Sequence, residues 1–151
     1  MQPLLSRMTV SLLRYSNLIR LDKVYYEAGI NCKKENWLGF GIMLINRYLD
    51  IYDVIEDQEA NTLGDNSEYA LTDLPSPYDC PLPNKNLLTE NEKEKIKNWC
   101  LNILFDSKVT QELPTRRCEF CQADIYEPCL KCPNCKSSWE ACIVSGYPVT
   151  A

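Results

Sequence analysis

Residues 37–56 read WLGFGIMLINRYLDIYDVIE, and this stretch decides the fold class. Asn46, Asp50, Asp53 and Asp57 line one stripe of the helix it predicts. Phe40, Leu44, Ile45, Tyr48, Leu49, Tyr52 and Ile55 fill the rest. An apolar surface that broad cannot face water, so the helix must pack against neighbours on more than one side. Asn36 is expected to cap it. Working back, Asp22 is the expected N-cap of a helix over about 22–34, with Tyr25, Ala28 and Cys32 on one face. Segment 4–16 carries Leu5, Met8, Leu12 and Tyr15 at helical spacing. The two central helices match a tetratricopeptide-type hairpin, with large Tyr25, the small pair Ala28-Gly29 and small Gly41 at the offsets where two backbones approach closely. A buried antiparallel helix pair of any other kind would satisfy the same pattern.

Working forward, residues 59–88 hold Gly64, Pro75, Pro77, Pro81 and Pro83 with few aliphatic side chains, so an extended linker is expected. Thr89-x-x-Glu92 then forms a capping box. Ile96, Trp99, Cys100, Ile103 and Leu104 follow it as one apolar face, which must rest on the hairpin or on the cysteine-rich end. The expected organisation is therefore a mainly α chain. Residues 1–58 form the end of a helical solenoid, 59–88 an acidic Pro-rich linker, 89–106 an amphipathic helix, and 114–151 a small zinc-ribbon-like β module, truncated at its end.

Composition narrows the function. The 151 residues include no histidine, which removes the commonest general base, histidine-assisted nucleophiles and histidine metal ligands. No run approaches the roughly 18 apolar residues of a membrane span, and 4–15 is too interrupted by polar residues for a signal-peptide core. Seven basic and three acidic side chains fall in residues 1–49, two and twelve in 50–94, and seven and six in 95–151. An acidic centre of that size repels a phosphate backbone. Arg116, Arg117, Lys131 and Lys136 are too few to overcome it, so no nucleic-acid partner is expected.

Six of the nine cysteines lie between Cys118 and Cys142. With no secretory signal, a metal site outranks a disulfide framework. Cys118-x2-Cys121 and Cys132-x2-Cys135, ten residues apart, supply two pairs of thiolates. Brought together, these fit the tetrahedron of one structural Zn²⁺, although iron accepts the same donors. Cys129 is an alternative to Cys132 as ligand. Cys142, in a stretch read as a strand, is expected to be a small buried hydrophobe. Cys32, Cys80 and Cys100 read as packing residues or surface thiols. Six cysteines without histidine fall short of the eight ligands of a cross-braced RING.

Two sets of residues carry a family resemblance. One runs from Leu12-Leu13-Arg14-Tyr15 through Asp22-Lys23-Val24-Tyr25-Tyr26-Glu27-Ala28-Gly29-Ile30 to Ile45-Asn46-Arg47-Tyr48-Leu49-Asp50. The other comprises Thr72-Asp73-Leu74-Pro75, Pro81-Leu82-Pro83 and Cys142-Ile143-Val144-Ser145-Gly146-Tyr147-Pro148-Val149. In order along the chain, they resemble the C-terminal region of the intraflagellar transport protein 172 family. The resemblance implies a fragment of a large complex B subunit built from propellers, a tetratricopeptide-like solenoid and a small C-terminal module. It implies a non-enzymatic scaffold that contacts other intraflagellar transport proteins in the cilium or flagellum and at the basal body, on the cytoplasmic side. The closing segment from Ile143 also resembles the opening of a U-box, so the alternative is an E3 ubiquitin ligase or ubiquitin-binding module with ubiquitin or an E2 as partner. None of the matching stretches is catalytic.

Overall fold

Leu21, Val24, Tyr25, Ala28 and Cys32 recur at the spacing of one helix face, and all five are buried. They belong to α2, Leu21–Lys34, in a computed structural model that describes residues 4–15, 18–56, 83, 85–106, 109 and 114–149. Before it come α1, Leu4–Ser11, and a 3-10 turn, Leu12–Tyr15. After it come α3, Leu38–Glu56, and α4, Glu90–Asp106. A two-stranded antiparallel sheet follows, β1 Thr115–Arg117 and β2 Asp124–Tyr126. The chain is mainly helical with a small β end, as its periodicity indicates.

Two expected caps have other roles. Asp22 is not the N-cap of α2; Arg20 is. Asp22 sits buried in the first turn, where both carboxylate oxygens accept from the Arg20 guanidinium at 2.9 and 2.8 Å. A carboxylate there also meets the positive end of the helix dipole. Asn36 does not start α3 but closes α2. Its φ of 65° is left-handed, a conformation Asn tolerates, and its N–H donates to Lys33 O. Trp37 N–H reaches back to Cys32 O at 2.8 Å, which completes a Schellman motif. Trp37 then packs against the core beside Cys32.

The tight closure lays α3 against α2 where both lack side chains. A Cβ on Gly29 would lie 2.5 Å from Ile45 Cγ1, and one on Gly41 would lie 3.2 Å from Gly29 O. Each glycine therefore makes room for the opposing helix. Around this contact Tyr25, Phe40, Leu44, Tyr48 and Ile51 form the main core, which extends to Tyr126, Cys129 and Tyr147 of the β end. On the other side of α3, Ile42 and Ile45 meet Ile96 and Cys100 of α4. The apolar face of α4 thus rests on the hairpin. Its capping box is present, with Thr89 N–H donating to Glu92 Oε2 at 2.8 Å and Glu92 N–H to Thr89 Oγ1 at 3.3 Å. Tyr52 O–H donates to Glu90 Oε2 at 2.9 Å, and Lys93 lies 3.1 Å from Asp53 and over the Tyr52 ring. Burial, helped by the Glu90 hydrogen bond, pushes the Tyr52 phenol up to about 12.

The first helix presents the opposite face from the one expected. Leu5, Met8, Leu12 and Tyr15 are exposed, while Ser6, Val10, Ser11 and Leu13 are buried. Ser6 N–H donates to Glu35 Oε2 at 3.2 Å and its hydroxyl to the same oxygen, tying α1 to the end of α2. Asp57 and most of the Pro-rich linker lie outside the described residues.

Gly29→Ala forces a methyl into the stiff, β-branched Ile45. Urea unfolding should show a loss of about 1–3 kcal/mol, the cost of overpacking a close-packed contact. A loss under about 0.5 kcal/mol, the scale of a neutral surface change, would contradict this packing.

Candidate metal centre

The cysteine pairs gain their geometry from a repeated backbone unit. Cys118 N–H donates to Ala123 O at 2.9 Å, and Gln122 N–H returns to Cys118 O at 3.0 Å. Cys132 N–H donates to Ser137 O at 2.8 Å, and Lys136 N–H returns to Cys132 O at 3.0 Å. Gln122 and Lys136 both take left-handed φ, 61° and 66°, which turns each loop back on itself. The β1–β2 register pairs Arg117 with Asp124 and closes the first loop; a bridge between Lys131 and Ser138 closes the second. Each loop is a knuckle that points two sulfurs inward.

Cys118, Cys121, Cys132 and Cys135 are brought together, with their four sulfurs all within 4.8 Å of one another. Cys118 Sγ lies 3.7 Å from Cys135 Sγ, and Cys121 Sγ lies 3.7 Å from Cys132 Sγ. Disulfide sulfurs would sit about 2.0 Å apart. Four thiolates at about 2.3 Å from a central tetrahedral ion would sit about 3.8 Å apart. The spacing therefore fits a metal ion and not a bridge, and the donor set of four soft sulfurs suits zinc or iron.

The surroundings favour thiolates on the outer side of the cluster. Hydrogen bonds from the Ser137 hydroxyl and N–H bring Cys135 down to about 6, and Asn134 lowers Cys121. Burial pushes the Cys118 thiol up. Ile125 and Trp139 pack against the buried sulfurs, and Phe120 meets the Trp139 ring at 6.1 Å. On Trp139 lies the Arg116 guanidinium, 4.2 Å from the ring centroid. Arg116 also donates to Glu127 O at 3.2 Å and Cys129 O at 3.0 Å. Arg117 lies 3.8 Å from Asp124, and Lys136 donates to Pro133 O. These basic residues serve the module's own loops.

The remaining cysteines separate cleanly. Cys129 is outside the sulfur cluster, buried with Tyr126 and Tyr147 against the helices, so Cys132 is the residue that joins the cluster. Cys32 and Cys100 are buried packing residues, and burial pushes the Cys100 thiol up to about 11. Cys80 lies outside the described residues. Cys142 departs from expectation. Its stretch is a turn and not a strand, and its thiol is half-buried. Cys142 N–H donates to Tyr147 O at 2.7 Å, and Gly146 N–H returns to Cys142 O at 2.8 Å. Gly146 has φ 73°. This is a third knuckle on the same backbone plan, with Ser145 where the second cysteine stands in the others. The signal for it was Cys142-x2-Ser145 followed directly by glycine.

Because metal binding displaces the thiol protons, the Ser137 donor should set how far acid can be tolerated. Ser137→Ala should raise the Cys135 pKa, so acid titration of a metal-loaded chain should release the ion at a higher pH than without the substitution. An unchanged release midpoint would show that Ser137 does not tune this sulfur.

No protein-family model matches the chain. It is 34% identical over 144 residues to human intraflagellar transport protein 172 homolog and 33% identical over 144 residues to the Mus musculus homolog. It is 32% identical over 141 residues to intraflagellar transport protein 172 of Chlamydomonas reinhardtii. These matches take in 95%, 95% and 92% of the chain but only 8% of each relative. Along nearly its whole length, the chain is thus similar to one short segment of intraflagellar transport protein 172.

Proposed function

We propose that the chain is a helical scaffold segment of an intraflagellar transport protein, braced by one structural Zn²⁺ and making protein–protein contacts in ciliary transport. The observation that carries the transport reading is the similarity to intraflagellar transport protein 172 over 95% of the chain. In this reading residues 1–58 end a tetratricopeptide-like solenoid, consistent with the Gly29–Gly41 approach between α2 and α3. The acidic linker 59–88 and the helix 89–106 lead to the zinc-ribbon-like module 114–151. The partners are other intraflagellar transport proteins, in the cilium or flagellum.

The zinc reading rests on the 3.7 Å sulfur pairs. Cys118, Cys121, Cys132 and Cys135 would hold the ion, and with four thiolates it keeps no open position for chemistry. Its contribution is folding energy for a module with little core of its own. Contact with a partner is supported by the exposed stripe Leu5, Met8 and Leu12. With Ile143 and Val144 it lines a groove of about 450 Å³, an apolar surface of the kind that marks interaction sites. Among the described residues no helix is long and apolar enough to cross a membrane.

A second reading, a U-box-like ligase or ubiquitin-binding module, draws on the full exposure of Ile143 at the tip of the third knuckle. Autoubiquitination with purified E1 and E2, abolished by Ile143→Ala, would favour it over the scaffold.

Elemental analysis of the purified chain should find one zinc, lost in Cys118→Ser and in Cys132→Ser. A metal-free native chain would overturn the zinc reading. A tagged chain expressed in a flagellated cell should enter the flagellum and co-purify with intraflagellar transport proteins. Exclusion from both would overturn the transport reading.

A further inference from the structure

The third knuckle, Cys142–Tyr147, repeats the backbone of the two metal knuckles but is not part of the sulfur cluster. It faces the N-terminal helices instead. Ser11 Oγ donates to Ser145 O at 2.6 Å, in a buried contact across 134 residues of sequence. Arg14 Nη1 donates to Gly146 O at 3.1 Å, and Arg14 Nη2 donates to Pro128 O. One guanidinium thereby joins the third knuckle to the loop that follows β2. The Arg7 guanidinium lies 5.7 Å from the centroid of the buried Tyr147 ring. Ser145 turns its own hydroxyl back to accept from Tyr147 N–H at 3.3 Å. A Cβ on Gly146 would lie 2.6 Å from both Ser11 Cβ and Ser11 Oγ, so the approach requires glycine in addition to the left-handed φ.

We propose that Arg14, seconded by Ser11, is the metal-free brace of the third knuckle, doing there what the ion does for the first two. The chemistry suits the role. A metal knuckle is held by a cation that gathers electron-rich atoms from two loops. Arginine is a permanent cation whose planar fork presents several fixed donors, and it can bridge two carbonyls in the same way. Hydrogen bonds from a charged donor are the strong ones, and these are partly withdrawn from water. The brace comes from outside the module, so it also fixes the module's orientation on the helices. The Ile143–Val144 tip is thereby held beside Leu12 along the apolar groove. Module folding and module docking then depend on two separate devices, one that a chelator removes and one that it does not.

The contrast between the two devices rests on the zinc reading, so the test has an arm that does not need it. Amide exchange would be followed residue by residue in the whole chain, with and without a chelator, and in Arg14→Ala. Chelation should speed exchange at Cys118, Gln122, Cys132 and Lys136 while Cys142 and Gly146 stay protected. Arg14→Ala should do the reverse, speeding Cys142 and Gly146 by about 10- to 100-fold, the scale of a lost charge-assisted hydrogen bond, with zinc content still at one per chain.

Equal loss of protection at all three knuckles on chelation would overturn the proposal. So would unchanged exchange at Cys142 and Gly146 in Arg14→Ala, or a second zinc dependent on Cys142. A chain with no zinc would fail the metal reading alone, because the Arg14→Ala arm is still read. If Arg14→Ala also exposes α2 and α3, then Arg14→Lys, which keeps the charge without the fork, should loosen only the third knuckle. Failure of α2 and α3 there too leaves the chelation arm on the native chain to decide.

Discussion

The described residues are arranged around a helix that is apolar on nearly every side. From Phe40 to Ile45 six successive residues of α3 are buried, and Tyr48, Ile51 and Tyr52 continue the pattern. A single neighbour covers one face of a helix, so α3 needs cover from two directions. α2 supplies one, drawn close by Gly29 and Gly41, and α4 supplies the other through Ile96 and Cys100. The β end contributes Tyr126, Cys129 and Tyr147 to the first side, with Phe40 meeting the Tyr126 ring edge-on at 6.1 Å. The cysteine module is therefore seated on the same core that α3 demands.

Within the module one loop design appears three times, each with an i→i+5 hydrogen bond out, an i+4→i bond back and a left-handed residue at i+4. Such a loop encloses a point with little apolar material of its own. Four sulfurs gather around one such point between the first two loops. Backbone carbonyls meet hydroxyl and guanidinium donors at the third. The same backbone plan thus accommodates a sulfur cluster between two loops and an arginine at the third, according to whether the fourth position of the loop is cysteine or serine.

Features set by local chemistry were legible in the sequence. The Thr89–Glu92 box and the period of α4 needed only neighbours a turn away, and the paired cysteines needed only their spacing. Features set by long-range contacts were not. Leu5, Met8, Leu12 and Tyr15 have the right period, yet the buried face of α1 is the one whose serines reach Glu35 and Ser145, residues far along the chain. Asn36 closes α2 where a cap for α3 is expected, because the same short polar residue serves a helix start and a left-handed helix end. Only the return bond from Trp37 to Cys32 distinguishes them. Ile143 and Val144 suggested a strand by their branching, but Gly146 beyond them turns the backbone and leaves both on an exposed tip.

The similarity to intraflagellar transport protein 172 and the sulfur cluster answer different questions. The first supports where the chain works, and the second supports how its small end is held in shape for that work. We propose that Cys118, Cys121, Cys132 and Cys135, whose sulfurs cluster, surround a single zinc. X-ray absorption at the zinc edge of the purified chain tests it most directly. Four sulfurs at about 2.3 Å from the ion are expected. A shell containing oxygen or nitrogen in place of any sulfur would contradict it.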